Sequence, residues 1–73
     1  MGELKRGTTG VITLIAHSEP AICQRLMEMG LLEGSRFEIV HEAPFGGDPI
    51  AIRVRGALIA VRRLDANQIE VET

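Results

Sequence analysis

A chain of 73 residues has room for one small hydrophobic core, and its single cysteine excludes an intrachain disulfide and a disulfide-stapled secreted scaffold. Eight basic and ten acidic side chains give a net charge of −2, which excludes an overall positive field that would attract nucleic acid. The longest run resembling a membrane segment, Val11 to Ala16, is far short of the roughly 20 residues that a membrane-spanning helix needs. We therefore expect one domain, residues 1–73, in a reducing cytoplasm.

The first predicted elements are a strand and a helix. A glycine-rich turn at residues 7–10 precedes the β-branched run from Val11 to Ala16, which has the composition of a buried strand. Ser18 offers an N-cap oxygen for a helix, Pro20 suits its first turn, and Gly30 can end it in the left-handed conformation. The predicted helix covers residues 19–29.

The predicted helix has one clearly apolar stripe. Ile22, Leu26 and Met29 share this stripe, which we expect to face the core. Cys23 and Met27 fall between the stripe and the polar side of the helix. We therefore expect these two sulfur-containing side chains at the edge of the packed face.

A second strand is predicted over residues 36–43. Its alternation places Phe37, Ile39 and His41 on one face. Two prolines and two glycines between Pro44 and Pro49 then predict a well-defined loop, because they prevent regular strand pairing.

The clearest local pattern is a β-hairpin that turns at Arg55-Gly56. A two-residue turn at this point makes the apolar faces of both strands coincide. The predicted cross-strand pairs are Ile50 with Val61, Ile52 with Ile59, and Val54 with Ala57. A final turn at residues 65–67 and a strand at residues 68–72 complete a mostly β fold, a small curled sheet or barrel of about five strands with one short helix after the first strand.

Residue types that ligate metals or perform catalysis are present without a recognisable arrangement. His17, Cys23 and His41 are all potential transition-metal ligands, but their spacing matches no ligand pattern. The serine and cysteine residues lack the partner pattern of an activated nucleophile. We therefore predict that the chain is not an enzyme and has no catalytic residue, no cofactor and no dedicated metal site.

The basic residues cluster near the hairpin. Arg53, Arg55, Arg62 and Arg63 lie close together in sequence, and the hairpin register places Arg53 and Arg62 on the outer face and Arg63 beside Asp48. No aromatic side chains accompany them for base stacking, so a solvated sheet face or a rim for protein docking is the better interpretation.

Surface recognition is the remaining role for residues that no core or turn explains. Candidate surfaces are the helix edge with Cys23 and Met27, the corner at residues 29–32, and Phe45 at the tip of the loop. Methionine and exposed aromatic side chains are frequent at protein interfaces. The alternative is that these side chains cap the open ends of a small barrel.

Two segments, read together, resemble the FeoA family. They are the run from Arg25 to Gly34, with the pattern R-L-x-x-x-G-L-x-x-G, and the loop from Ala43 to Ile50. Val61-Arg62-Arg63 and Ile69-Glu70-Val71 extend the resemblance over nearly the whole chain. The pair Gly46-Gly47 departs from the single glycine of many members, which bears on the shape of the loop.

The resemblance implies a fold, a partner and a role. FeoA-like proteins are small cytoplasmic accessory proteins of bacterial ferrous iron uptake, with an SH3-like barrel that carries a helical insertion after the first strand. The implied partner is the FeoB membrane transporter with its cytoplasmic GTP-binding domain, which the protein would regulate or help to assemble. No catalysis is implied.

We expect five residues to contact this partner: Arg25 as an orienting charge, and Met27, Met29, Leu31 and Phe45 as apolar contacts. A weak homodimer through an exposed sheet edge is a further expectation. Two alternatives stay open. One is a metal-sensing or metal-delivery role, as in related domains fused to iron-dependent repressors, although no helix-turn-helix precedes the predicted barrel. The other is RNA binding, which other SH3-like barrels perform.

Overall fold

The computed structural model describes residues 1–16 and 19–73, and these form five antiparallel β-strands and two short helices. In chain order they are β1 (Thr9–Ile15), α1 (Pro20–Glu28), β2 (Arg36–Glu42), β3 (Ile50–Val54), β4 (Ala57–Val61), α2 (Arg63–Ala66) and β5 (Ile69–Glu72). The strands join in one sheet in the order β4-β3-β2-β1-β5. This is the predicted mostly β fold with α1 after the first strand, and α2 is a single helical turn where a turn was expected.

Helix α1 begins at Pro20 and ends at Glu28. The expected N-cap Ser18 lies outside the described residues, and Glu19 holds the N-cap position with an extended backbone. At the other end Gly30 is left-handed, with φ 102°, as predicted. Its N–H donates to Met27 O, and the next N–H, of Leu31, donates to Leu26 O at 3.1 Å. This pair of bonds is the Schellman motif, which turns the chain sharply back toward the sheet.

One apolar cluster fills the space between the sheet and α1. Its fully buried members are Ile12, Ile15, Cys23, Leu26, Leu31, Phe37, Ile39, Ile50, Ile52, Val54, Val61, Ala66 and Ile69. Ile22 and Met29 pack against this cluster and stay partly exposed. The expectation for Cys23 is corrected here, because its side chain is 3% exposed and belongs to the core. The apolar stripe of α1 is thus centred on Cys23 and Leu26.

Strand β2 contains an irregularity that changes which face its last residues occupy. The register with β3 shifts between Ile39 and His41, so that Val40 is an extra residue on β2. Such a bulge reverses the alternation beyond it. His41 is therefore exposed, and the expectation that it shares a face with Phe37 and Ile39 is wrong beyond this point.

The β3–β4 hairpin has the predicted register. Ile50 pairs with Val61, Ile52 with Ile59, and Val54 with Ala57. The two turn residues, Arg55 and Gly56, both have positive φ, 52° and 81°. This is the type I′ geometry, whose twist matches that of the strands it joins.

The N-terminal residues pack against strand β5. The Met1 amino group donates a hydrogen bond of 2.8 Å to Ile69 O. Burial lowers the pKa of this amino group below its ordinary value of 8.0, while the nearby carboxylates of Glu3 and Glu70 act in the opposite direction. Among the described residues, no helix is long and apolar enough to cross a membrane.

Candidate functional site

An open groove of about 480 Å³ runs along one side of α1, and we call it the α1 groove. Its surface is mostly apolar, and it is lined by Pro20, Cys23, Gln24, Met27, Glu28 and Leu32. The residues from α1 are spaced three or four apart, so they share one helix face. Of the two sulfur-containing side chains that the sequence singled out, Met27 lies at this surface and Cys23 lies buried beneath it.

Met27 is an exposed apolar side chain of the groove. Its exposed fraction is 44%, whereas Cys23 below it is nearly inaccessible. The Cys23 thiol donates to Met27 Sδ at 3.8 Å, which brings the two sulfur atoms into contact one helical turn apart. An exposed thioether on an apolar floor is a flexible, polarisable contact of the kind found at adaptable binding surfaces.

The other residues expected near α1 lie in three different environments. Arg25 is exposed and forms an ion pair of 3.2 Å with Asp65. Met29 is partly buried against the core. Leu31 has no exposed surface, so the expectation that it contacts a partner is corrected: the Schellman turn directs its side chain inward beneath α1.

Phe45 lies apart from α1, at the tip of the loop between β2 and β3, and 94% of its surface is exposed. The loop closes on itself, since the N–H of Gly47 donates to Ala43 O and the N–H of Ala43 donates to Pro49 O. Gly46 and Gly47 both have positive φ, which their lack of a side chain permits. The double glycine thus gives the loop its turn.

Arg63 anchors this loop to the N-terminal segment and to β2. Its backbone N–H donates to the Asp48 carboxylate at 3.0 Å, which confirms the predicted proximity of these residues. Its guanidinium donates to four further groups: Gly47 O at 2.7 Å, Leu4 O at 2.8 Å, Gly2 O at 3.1 Å and the Glu42 carboxylate. Sequence reasoning missed this network, because its partners come from three separate segments.

A third surface is a cleft of about 450 Å³ at the turn end of the hairpin. It contains the guanidinium-bearing residues Arg36, Arg53 and Arg55, of which Arg53 lies 3.6 Å from the Glu38 carboxylate. The sequence had marked Arg53 and Arg55 as part of a basic cluster. Arg36 joins them through the pairing of β2 with β3.

The potential metal ligands do not come together in the described part of the chain. No group of three or more histidine, cysteine, aspartate or glutamate side chains there has the geometry to hold an ion. Cys23 lies in the core and His41 is exposed on β2, while His17 falls outside the described residues. The donor residues described here therefore outline no metal centre.

Comparison with known proteins gives a family match over the full length. The family model described as the FeoA domain matches residues 1–73. A curated relative is the Fe(2+) transport protein A/Fe(2+) transporter FeoB fusion protein of Porphyromonas gingivalis, strain W83. The two are 33% identical over 72 residues, which are 99% of this chain and 8% of that protein. The chain thus corresponds to a small part of this curated relative.

Solved structures of similar chains have the same fold. The FeoA protein of Chlorobium tepidum is 40% identical, with a TM-score of 0.83 over 96% of this chain and 65% of its own. The FeoA of Stenotrophomonas maltophilia, solved with zinc and described as a prokaryotic SH3 domain protein, is 30% identical, with a TM-score of 0.82. That match covers 97% of this chain and 86% of the other. The predicted SH3-like fold is confirmed.

Proposed function

The chain belongs to the FeoA family, and from this premise we propose that it is a cytoplasmic accessory protein of bacterial ferrous iron uptake that binds the FeoB transporter. The observation that carries the proposal is the fusion protein of Porphyromonas gingivalis, in which a sequence 33% identical to this one shares a polypeptide with FeoB. Fusion holds two modules at high effective concentration, which is advantageous when the modules act on each other. In this domain the contact is proposed to come from its own surface.

We assign the main contact to the α1 groove. Its exposed residue Met27 lies over the buried Cys23, so a partner side chain that enters the groove meets an apolar floor and loses contact with water. Arg25 follows the lining residue Gln24 on α1 and is the proposed orienting charge; to meet a partner carboxylate it must exchange its ion pair with Asp65. Leu31 has no exposed surface and belongs to the core cluster, so it is left out of this contact.

Phe45 is the proposed second contact. An aromatic side chain exposed to this extent is costly in water, and burying it against a partner is favourable. The loop that carries Phe45 is already held by Arg63 through Gly47 and Asp48. Because little loop entropy remains to be lost on binding, such a pre-organised contact contributes more of its burial energy to affinity.

The proposed effect on the transporter is a shift between conformations. Binding shifts an equilibrium only if the domain binds one state more tightly than the other. A change from about 1:99 to 99:1 requires an affinity ratio of roughly 10⁴ between the two states. The affinity of the domain for the transporter should therefore depend on whether its GTP-binding domain holds GTP, GDP or no nucleotide.

The proposal is tested by titrating this protein against the soluble GTP-binding domain of FeoB from the same organism, with each nucleotide. Met27→Gln keeps the length of the side chain and makes it polar, and it should weaken binding at least tenfold, as loss of an interface hot spot does. Leu14→Gln is the matched control, because Leu14 lies on β1 and is 43% exposed, against 44% for Met27. Equal affinities of the wild type and both variants would refute the assignment of the α1 groove.

A further inference from the structure

Strand β4 is one edge of the sheet, and among the described strands it pairs with β3 alone. The two-residue turn makes Val54 and Ala57 the first hydrogen-bonded pair of the hairpin, and such pairs alternate along antiparallel strands. The backbone groups of Leu58 and Ala60 consequently point away from β3. They offer two N–H and two C=O groups to a further strand.

The opposite edge of the sheet is protected in a way that the β4 edge is not. Strand β5 carries the carboxylates of Glu70 and Glu72, and the Met1 amino group occupies Ile69 O. Charges and covering segments of this kind prevent another strand from pairing. Strand β4 reads Ala-Leu-Ile-Ala-Val, without charge or proline, and Leu58 on it is exposed.

A cleft of about 350 Å³ lies beside the C-terminal end of β4, between that strand and α1. Leu26 of α1 and Met29, the C-cap residue of α1, line it on one side, and Ala60 and Val61 line it from the strand. The cleft has these apolar walls and a charged rim of Arg25, Arg62 and Asp65, and it meets the free strand edge at Ala60. An extended segment paired with β4 can place alternate side chains into the cleft while its backbone bonds to the edge.

The charges around the cleft select the kind of segment that fits. Arg25 on the rim is already paired with Asp65. The guanidinium of Arg62, also on the rim, has no carboxylate within ion-pairing distance among residues 1–16 and 19–73. Two copies of β4 paired antiparallel about Ile59 would bring Arg62 of each copy near Arg55 of the other, so self-pairing places like charges together. An acidic segment has no such conflict.

We propose that the edge of β4 and the adjoining cleft bind an extended segment of a partner protein that has alternating apolar residues and a carboxylate at one end. Its backbone pairs with Leu58 and Ala60, an apolar side chain enters between Leu26 and Met29, and the carboxylate meets Arg62. This surface is separate from the α1 groove, and the inference does not rest on FeoB as the partner.

The probe is an acetylated and amidated heptapeptide of alternating valine and threonine with glutamate at both ends, titrated into the ¹⁵N-labelled protein. Its counterpart with lysine at both ends is the control. The amide resonances of Leu58, Ala60, Arg62 and Met29 should shift with the acidic peptide and remain in place with the basic one. Shifts confined to the α1 groove, or none at millimolar peptide, would overturn the proposal. Dilution-dependent shifts of the β4 amides without peptide would assign the edge to a second copy and also overturn it.

Two variants locate the contact. Ala60→Pro removes an N–H that points away from β3, so it leaves the hairpin bonds in place and should weaken the acidic peptide about tenfold. Arg62→Glu should weaken it by about five- to tenfold. Arg36→Glu makes the same charge change at the opposite end of the hairpin and should leave affinity within twofold. Equal losses of peptide affinity for Arg62→Glu and Arg36→Glu would show that only net charge matters, and would contradict the proposed site. This comparison holds even if Ala60→Pro fails to fold.

Discussion

Every nitrogen of the Arg63 guanidinium donates a hydrogen bond within the domain, and the acceptors come from the N-terminal segment, β2 and the Phe45 loop. The planar fork of arginine can reach several acceptors at fixed angles, whereas the ammonium of lysine is a single point charge. Glu42 strengthens the arrangement, because its other carboxylate oxygen accepts the Arg6 N–H at 3.0 Å. One side chain thereby fixes the loop proposed as a second contact.

Arg63→Lys should lower the free energy of unfolding by about 2 to 3 kcal/mol, because several carbonyl groups lose a charged donor. Urea denaturation measures the change. Arg62→Lys, at the neighbouring exposed position, should stay within about 0.5 kcal/mol of the wild type. If Arg63→Lys lowered the free energy of unfolding by less than about 0.5 kcal/mol, the network would contribute little to the stability of the fold.

Phe45→Ala separates binding from stability. Because the side chain is almost wholly exposed, its removal should change the free energy of unfolding by no more than about 0.5 kcal/mol. Affinity for the FeoB GTP-binding domain should fall several-fold, since burial of an aromatic ring is lost. Denaturation and titration of the same variant give both values. Unchanged affinity would remove Phe45 from the proposed interface.

At the scale of elements, structure that depends on neighbouring residues in the sequence was predictable. Structure that depends on how distant strands and the helix pack together was not. The hairpin register follows from a two-residue turn and alternation within one short segment, and the end of α1 follows from Gly30. The exposure of His41 depends on a bulge that exists only in the pairing of β2 with β3. Cys23 was misplaced because its position on the helix wheel says nothing about how deeply α1 sits on the sheet.

The hairpin turn offers an element-level prediction. Arg55 adopts the left-handed conformation, which is energetically unfavourable for most residues other than glycine. Asparagine tolerates this conformation better than arginine does. Arg55→Asn should raise the free energy of unfolding by about 0.5 to 1 kcal/mol. Arg55→Val should instead lower it, because a β-branched side chain is strongly disfavoured at positive φ. Thermal and urea unfolding of both variants check the sign, and a stabilising valine would contradict the type I′ assignment.

At the scale of the whole molecule, α1 borders two surfaces of different character. On one side lies the α1 groove with Met27, and on the other lies the cleft between Met29 and the β4 edge. The sequence indicated Met27 and Met29 as surface residues, and the family resemblance indicated the type of partner. The sequence could not reveal the cleft beside the β4 edge. This cleft exists because β4 is an edge of the sheet and α1 lies beside that edge.

The proposed binding to FeoB is best tested with the intact transporter in lipid nanodiscs. The intact protein contains both the GTP-binding domain and the membrane core, so either site of contact is available. Titration of the labelled domain in the presence of a GTP analogue, GDP or no nucleotide should give a saturable 1:1 complex whose affinity differs between these states. Absence of saturable binding in all three conditions would refute the proposed function.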